Sequence, residues 1–220
     1  MKRNLSGLIL SLIISVTAIF MLTNCTHNDQ FTVCIDAGHG GYDNGTKSPT
    51  SILEKDINLK VALKLGKILE KNNIKVVYTR TNDKVPWPSN QKSSLKERCY
   101  ISNKAKADLF ISIHCNYDEF SSITRGPETW CRFSETPEEN LAKNIQNELV
   151  NLKYSHNRGL KYEKNGGLYV LRHTKAVSAL VELGFLSNSK DTKFLITNKA
   201  QEKCAQAIAR GILNFKNYKS

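Results

Sequence analysis

The sequence lacks the features that mark non-globular chains. It has 5 prolines and 12 glycines among 220 residues, with no proline- or glycine-rich stretch, no low-complexity tract and no internal repeat. With 40% hydrophobic and 24% charged residues, the composition is that of a globular protein. The chain is long enough to form one well-buried domain.

Cysteines are few and none follow a Cys-x-x-Cys spacing, which argues against a thiolate zinc site. Five remain when Cys25, at the end of the N-terminal apolar run, is set aside: Cys34, Cys99, Cys115, Cys131 and Cys204. An odd number cannot all pair internally. The pattern favours small buried residues, and a disulfide between Cys34 and Cys115 is the alternative in an exported protein.

Acidic residues are fewer than basic residues. There are 32 lysines and arginines against 20 aspartates and glutamates, a net charge of +12 at pH 7. A basic protein is attracted to nucleic acid, anionic membrane or anionic wall polymer. Because we find no zinc finger, no RNA-binding aromatic signature and no other nucleic-acid motif, we expect an envelope polymer and no nucleic acid as the partner.

The N-terminus has the pattern of a secretory signal peptide, which we place at residues 1–24. A positive start, Met1-Lys2-Arg3, precedes an almost wholly apolar run over residues 8–22, which is short for a membrane-spanning helix. The run ends in Leu22-Thr23-Asn24-Cys25, which resembles a bacterial lipoprotein cleavage box with Cys25 as the lipidated residue. Ordinary cleavage nearby and an uncleaved anchor are the alternatives. Residues 25–30 would form a tether, of at most about 17 Å over five residues. We expect an exported, membrane-anchored lipoprotein of the cell envelope, facing the periplasm or the cell surface.

From residue 31 onward, apolar runs alternate with segments of helical periodicity, which predicts a single α/β domain over residues 31–220. The expected architecture is a mostly parallel twisted sheet flanked by helices on both faces. Predicted strands cover residues 31–35, 74–79, 108–113, 126–133, 168–171 and 178–182. Predicted helices cover residues 54–71, 94–105 (opened by a capping box at Ser94), 138–149 and 199–215.

Four polar residues stand out against this framework. His39 and His114 each follow an apolar strand, Glu182 ends another, and Glu54 opens a helix. Ligands bind at the carboxyl ends of parallel strands, where three of these residues would converge. Two imidazoles and a carboxylate suit a catalytic zinc, and a second carboxylate could move protons beside it. Each residue also has an ordinary interpretation: a locally satisfied histidine, a helix N-terminal acid, or half of a structural ion pair.

Four motifs occur in order over nearly the whole chain beyond residue 31: Asp36-Ala37-Gly38-His39-Gly40-Gly41, Glu54-Lys55-Asp56-Ile57-Asn58-Leu59, Ala107-Asp108-Leu109-Phe110-Ile111-Ser112-Ile113-His114-Cys115-Asn116 and Leu180-Val181-Glu182-Leu183-Gly184-Phe185-Leu186-Ser187-Asn188. This series resembles the zinc-dependent N-acetylmuramoyl-L-alanine amidases of bacterial cell-wall turnover. The chain departs from the usual family pattern modestly, at Ala37 and Cys115.

The resemblance implies the roles of individual residues. His39, Glu54 and His114 would bind one zinc ion, and Glu182 would be the catalytic carboxylate. Asn116 matches a motif position near the metal and is a candidate substrate residue, whereas Arg80 and Arg98 match positions that we interpret as structural. The implied reaction is hydrolysis of the amide between the lactyl group of N-acetylmuramic acid and L-alanine of the peptidoglycan stem peptide.

Two other functions remain open at this stage: a zinc peptidase or carboxypeptidase on stem peptides, and a non-catalytic peptidoglycan-binding lipoprotein. Residues 164–169 and His173 form a candidate substrate-side loop; the alternative, which the pattern favours for His156 and His173, is that they are surface residues. Only ten positions separate Asn116 from Gly126, so no helical insert that plugs the active site is expected. We therefore expect an enzyme that needs no activator. We also expect it to be a monomer.

Overall fold

The computed structural model describes residues 30–163 and 166–219. The predicted signal peptide and Cys25 lie outside the described residues, as do Lys164 and Asn165. The strands are β1 (Thr32–Ala37), β2 (Lys75–Tyr78), β3 (Leu109–Asn116), β4 (Glu128–Cys131), β5 (Leu160–Tyr162) and β6 (Val177–Phe185). The helices are α1 (Glu54–Lys71), α2 (Gln91–Lys104), α3 (Pro137–Val150), α4 (Tyr169–His173), α5 (Ser189–Leu195) and α6 (Asn198–Lys219).

The six strands form one sheet in the order β2-β1-β3-β6-β4-β5. The first four run parallel, and β4 pairs antiparallel with β6 while β5 follows the direction of β4. The carboxyl ends of β1, β3 and β6 therefore meet at one edge. This arrangement confirms the predicted α/β class and the mostly parallel sheet.

Side chains alternate along the central strands and build a separate apolar core on each face of the sheet. Val33, Ile111 and Val181 point to the larger core, which α1, α3 and α6 cover. Cys34 and Phe110 point to the smaller core, which also contains Val170 and Leu171 of α4. Helices thus cover both faces, as predicted. Among the described residues, no helix combines the length and apolarity needed to cross a membrane.

Two predictions about individual elements are wrong, one of an element's type and one of a helix start, and each has a local reason. Residues 168–171 do not form a strand, because Tyr169–His173 is a short helix that buries Val170 and Leu171. An apolar run of four residues cannot distinguish these states. The capping box predicted at Ser94 is also wrong. Asn90 caps α2 instead, accepting a hydrogen bond from the Ser93 amide at 2.9 Å, and Ser94 lies buried in the first turn.

The five cysteines in the described part of the chain are all free and buried. Cys34 belongs to the smaller core and Cys115 to the larger one, so the sheet lies between their side chains. The alternative of a Cys34–Cys115 disulfide is therefore wrong, and the prediction of small buried residues is confirmed. Burial raises the pKa of the Cys34 thiol to about 12, with the charge of Asp36 adding to the effect.

Candidate metal centre and active site

The four predicted site residues meet at one edge of the sheet. His114 lies in β3 directly beside Glu182 of β6, and His39 lies in the turn that follows β1. Glu54 is the first residue of α1 and is 1% exposed. Residues up to 143 positions apart in the sequence come together here, because parallel strands end at the same edge of the sheet.

His39, Glu54 and His114 form a group that could hold a metal ion, with one ligand atom from each lying within 4.8 Å of the others. The Oε1 atom of Glu54 lies 3.2 Å from His39 Nε2 and 2.9 Å from His114 Nδ1. The two rings are 4.9 Å apart at their centroids and nearly perpendicular, so they approach the carboxylate from different directions. Two imidazole nitrogens and a carboxylate oxygen are a donor set for a divalent transition metal.

Backbone and amide donors fix the Glu54 carboxylate. Its Oε2 accepts a hydrogen bond from the Thr46 amide at 2.8 Å, and its Oε1 accepts from the Cys115 amide at 3.1 Å and Asn58 Nδ2 at 3.2 Å. Burial disfavours the charged form, but hydrogen bonds from His114 and His39 outweigh it and hold the pKa of Glu54 well below its usual range. Glu54 is therefore an anion with a fixed orientation.

The turn that carries His39 has a strained backbone. His39 itself has φ 61°, a left-handed conformation that costs a residue with a Cβ about 1–3 kcal/mol. A Cβ at Gly38 would overlap the His114 ring, so only glycine lets the turn approach β3 this closely. Arg98 Nη2 donates to the His39 carbonyl at 2.7 Å, and Arg80 Nη2 donates to the Gly38 carbonyl at 3.0 Å. The two arginines thus hold the turn, in agreement with a structural role.

A buried carboxylate anchors Arg98 under this turn. Asp36 Oδ1 accepts from Arg98 Nη1 at 2.6 Å and from the Thr79 hydroxyl at 2.7 Å, and Oδ2 accepts from the Ser112 hydroxyl at 2.7 Å. Burial raises the pKa of Asp36, but the Arg98 charge and the Ser112 hydrogen bond outweigh it, so the pKa falls below its usual 3.8. The pair therefore stabilises the fold above pH about 4, and this contribution is lost as the pH falls further.

Asp36→Ala is expected to lower the free energy of unfolding by about 3–5 kcal/mol, because Arg98 would keep a buried charge without its partner. Urea titration at neutral pH measures the change. Glu202→Ala is the control, because it removes a carboxylate that is 43% exposed and 3.6 Å from Lys64, and should cost less than about 1 kcal/mol. A similar small loss for both variants would contradict a stabilising role for the buried pair.

Glu182 is half-buried, and its Oε2 atom is shielded from solvent without a hydrogen-bond partner in the described part of the chain. Burial raises the pKa of Glu182 well above its usual range, and the carboxylates of Glu54 and Glu128 add to the effect. A desolvated carboxylate of raised proton affinity beside a candidate metal group is suited to accept and return a proton.

Asn116 ends β3, two residues after His114, and its side-chain amide is bonded within the protein. Its Nδ2 donates to Glu128 Oε1 at 2.9 Å and its Oδ1 accepts from the Tyr117 amide at 2.7 Å, so both ends of the amide have partners within the protein. Contact of Asn116 with substrate stays a prediction.

A cavity of about 140 Å³ opens beside His39 and His114 and is lined on its far side by Gly167, Leu168 and Tyr169. Part of the predicted substrate-side loop thus borders the site.

Sequence reasoning missed two residues that support the metal group. Asp43 Oδ2 accepts from His39 Nδ1 at 2.8 Å, and Asn58 joins Glu54 to the Gly38 carbonyl. Burial lowers the pKa of His39, but hydrogen bonds to Asp43 and Glu54 outweigh it and raise the pKa to about 9. Metal-binding histidines commonly donate their second N–H to a carboxylate, so a search four residues from His39 and from Glu54 would have found both.

These features define an α/β protein in which three side chains could hold a divalent metal ion, and a desolvated carboxylate beside them is suited to proton transfer. Nitrogen and oxygen ligands at an open edge are typical of hydrolytic rather than structural metal sites.

Residues 33–214 match the N-acetylmuramoyl-L-alanine amidase family, and the chain belongs to that family. It is 33% identical over 191 residues to the germination-specific N-acetylmuramoyl-L-alanine amidase of Bacillus subtilis, covering 83% of this chain and 78% of that one. It is also 33% identical to the amidase LytC of the same organism, over 84% of this chain and 35% of LytC. The protein is therefore a cell-wall hydrolase that cleaves an amide bond of peptidoglycan.

Solved structures agree with this assignment. The crystal structure of an N-acetylmuramoyl-L-alanine amidase from Clostridium difficile 630 superposes with a TM-score of 0.79 at 36% identity, covering 88% of this chain and all of that one. The CwlD amidase of Clostridioides difficile, solved in complex with the GerS lipoprotein, gives a TM-score of 0.80 at 34% identity, covering 86% of this chain and all of CwlD.

Proposed function

We propose that this amidase uses one zinc ion, held by His39, Glu54 and His114, to hydrolyse the bond between N-acetylmuramic acid and L-alanine, with Glu182 as general base and then general acid. The observation that carries the proposal is the convergence of three ligand atoms within 4.8 Å beside a shielded carboxylate oxygen. Membership of the amidase family supports the choice of the bond, and the arrangement of the site supports the choice of the groups that would cleave it.

The donor set fits zinc. Tetrahedral zinc with ligands at about 2.0–2.1 Å separates its ligand atoms by about 3.3 Å. The separations from Glu54 Oε1, 3.2 Å to His39 and 2.9 Å to His114, are close to that value. The neighbouring Cys115 cannot compete as a soft ligand, because its side chain belongs to the core on the opposite face of the sheet.

The chemistry that such an ion supplies when bound is polarisation of a carbonyl oxygen and acidification of water towards a pKa of about 7. The chain's own residues do the rest. Glu182 Oε2 accepts the proton of the attacking water, since no protein donor in the described residues occupies that oxygen. The same oxygen then gives the proton to the alanine nitrogen that leaves, so both proton transfers use one carboxylate.

Asp43→Ala is expected to weaken zinc binding about 10- to 100-fold, because His39 would lose the acceptor that orients its ring. Competition with a fluorescent chelator measures the affinity. Asp56→Ala is the matched control, since it removes an exposed carboxylate from the first turn of α1. Equal zinc affinity in both variants and in the wild type would show that Asp43 does not support the site.

Digestion of purified peptidoglycan, read by mass spectrometry, tests the reaction. Release of intact stem peptides with a free L-alanine amine, abolished by chelator and restored by zinc, is the expected result. Trimmed peptides would instead identify a peptidase, and no cleavage by folded, zinc-loaded protein would identify a binding protein.

The chain between β3 and β4 contains no helix, and we expect activity without an added activator. Cleavage that begins only after a partner is added would contradict that expectation.

We further propose that the protein is exported and held at the membrane through a lipid on Cys25. The support is the N-terminal sequence pattern and the net charge of +12, which favours an anionic surface. Metabolic labelling with a palmitate analogue should mark the wild type and not Cys25→Ala. Equal labelling of the two proteins would contradict the anchor.

A further inference from the structure

The side chain of Arg158 is fixed beside the site, and its two terminal nitrogens make no hydrogen bond to the described part of the chain. Its Nε donates to Glu128 Oε2 at 2.7 Å, and its guanidinium carbon lies 4.8 Å from the centroid of the Phe185 ring. The side chain is 33% exposed. Neither Nη atom makes a hydrogen bond within the residues that the structure describes. The guanidinium is therefore held rigidly by one nitrogen and one face while the other two nitrogens remain available.

The register of the sheet places this group one strand beyond Glu182. Glu128 of β4 pairs with Glu182 of β6, and Glu182 pairs with His114 of β3. With neighbouring strands about 4.8 Å apart, Glu128 lies about 10 Å from His114 across the sheet. The row runs from the candidate metal ligands through the proton-transferring carboxylate to the Glu128–Arg158 pair, so Arg158 borders the side of the site away from His39.

The geometry of the pair is not that of simple charge neutralisation. Glu128 Oε1 accepts hydrogen bonds from Asn116 Nδ2 at 2.9 Å and Trp130 Nε1 at 3.2 Å. Among the residues that the structure describes, its Oε2 accepts from Arg158 Nε alone. A guanidinium that served only to neutralise a buried carboxylate would gain most from a two-pronged contact with it. Here Glu128 is contacted through Nε, so the two terminal nitrogens are not used by it, and such a pair of nitrogens recognises carboxylates.

We propose that Arg158 binds a free carboxylate on the peptide arm of the substrate, at the stem-peptide residue that follows L-alanine. This inference rests on the proposed function. In an extended peptide that carboxylate lies about 7 Å from the scissile bond, at about 3.4 Å per residue, which is within the span from the metal group to the far side of Glu128. Amidation of that residue would remove the negative charge, so Arg158 would set a preference for the carboxylate form over the amide form.

Two muramyl peptides that differ only in this group, carboxylate against amide, test the proposal. Wild-type zinc enzyme should cleave the carboxylate form with a kcat/KM about 10- to 100-fold higher. Arg158→Gln should reduce that preference to less than about threefold, mainly by raising KM for the carboxylate form while kcat changes little. Arg158→Lys, which keeps the charge without the fork, should retain an intermediate preference.

Arg210→Gln is the matched control, because Arg210 also donates through Nε to a carboxylate, Glu148 Oε2 at 2.6 Å, but is an exposed side chain of α6 rather than part of the strand ends that carry the site. It should keep the full preference. A preference that is absent from the wild type or kept in Arg158→Gln would overturn the proposal. Equal losses on both substrates would also overturn it, because they would assign Arg158 a structural role. Failure of the wild type to cleave either compound would overturn the proposed function itself. Calorimetric binding of the two compounds to Glu182→Gln measures the same preference without turnover and should agree.

Discussion

Glu182→Gln should lower kcat about 10²- to 10⁴-fold, because the amide can neither accept the proton of water nor return it to the leaving nitrogen. Zinc content should stay at that of the wild type, since Glu182 is not part of the His39-Glu54-His114 group. Activity on purified muropeptides and metal analysis of the same sample give the two readouts. Loss of catalysis with retention of metal distinguishes a proton-transferring group from a ligand.

The same variant should be at least as stable as the wild type in metal-free protein. The wild-type carboxylate is desolvated, lies near the carboxylates of Glu54 and Glu128, and leaves Oε2 without a partner. The amide variant removes the cost of placing an ionisable group where its charged form is disfavoured, as expected of a residue retained for activity at the expense of stability. Glu70→Gln, at an exposed position sixteen residues along α1 from Glu54, serves as the control and should change neither quantity greatly. A fully active Glu182→Gln enzyme would remove Glu182 from the mechanism.

His114→Ala should abolish both zinc binding and activity, with a loss of turnover of at least about 10⁴-fold. Its Nδ1 lies 2.9 Å from Glu54 Oε1, closer than His39 Nε2 at 3.2 Å, and its ring fills the space that Gly38 leaves open. The variant should bind zinc at well below one ion per chain, and added zinc should not restore activity. Dialysis followed by metal analysis and an activity assay measure both.

His156→Ala is the control for this experiment, because His156 is an exposed histidine whose ring contacts Arg125 away from the metal group. Wild-type protein stripped by chelator and reloaded with zinc should regain activity, which separates loss of the metal from loss of the fold. A His114→Ala protein that still binds one zinc ion tightly would show that the His39-Glu54-His114 group is not the metal site.

Local sequence patterns predicted the parts of the fold that local patterns control. Apolar β-branched runs identified β1 and β3, and helical spacing identified α1 and α6 close to their observed ends. The reversed direction of β4 and the existence of β5 and α5 escaped prediction. Each of these elements is short, and its state depends on the strand or helix that it packs against rather than on its own residues.

In the candidate site, too, local sequence patterns predicted some features, and others depend on distant parts of the chain. The two histidines and Glu182 were predictable because each occupies the end region of an apolar parallel strand. The left-handed conformation of His39 was not, because it is imposed by Arg80 and Arg98 from distant parts of the chain. Glu128 and Arg158 were not predictable either, since only the antiparallel register of β4 with β6 brings Glu128 beside Glu182.

The buried, unpaired thiols have a practical consequence for experiments on this enzyme. Burial raises the pKa of Cys99 and Cys204 to about 12, so the thiolates that alkylating reagents and disulfide exchange require are scarce at neutral pH. The folded domain should therefore need neither an oxidising compartment nor an isomerase to mature. A single cysteine engineered on the surface of the domain that begins at residue 31 could be labelled selectively with a fluorophore or spin label, without first removing the five buried cysteines.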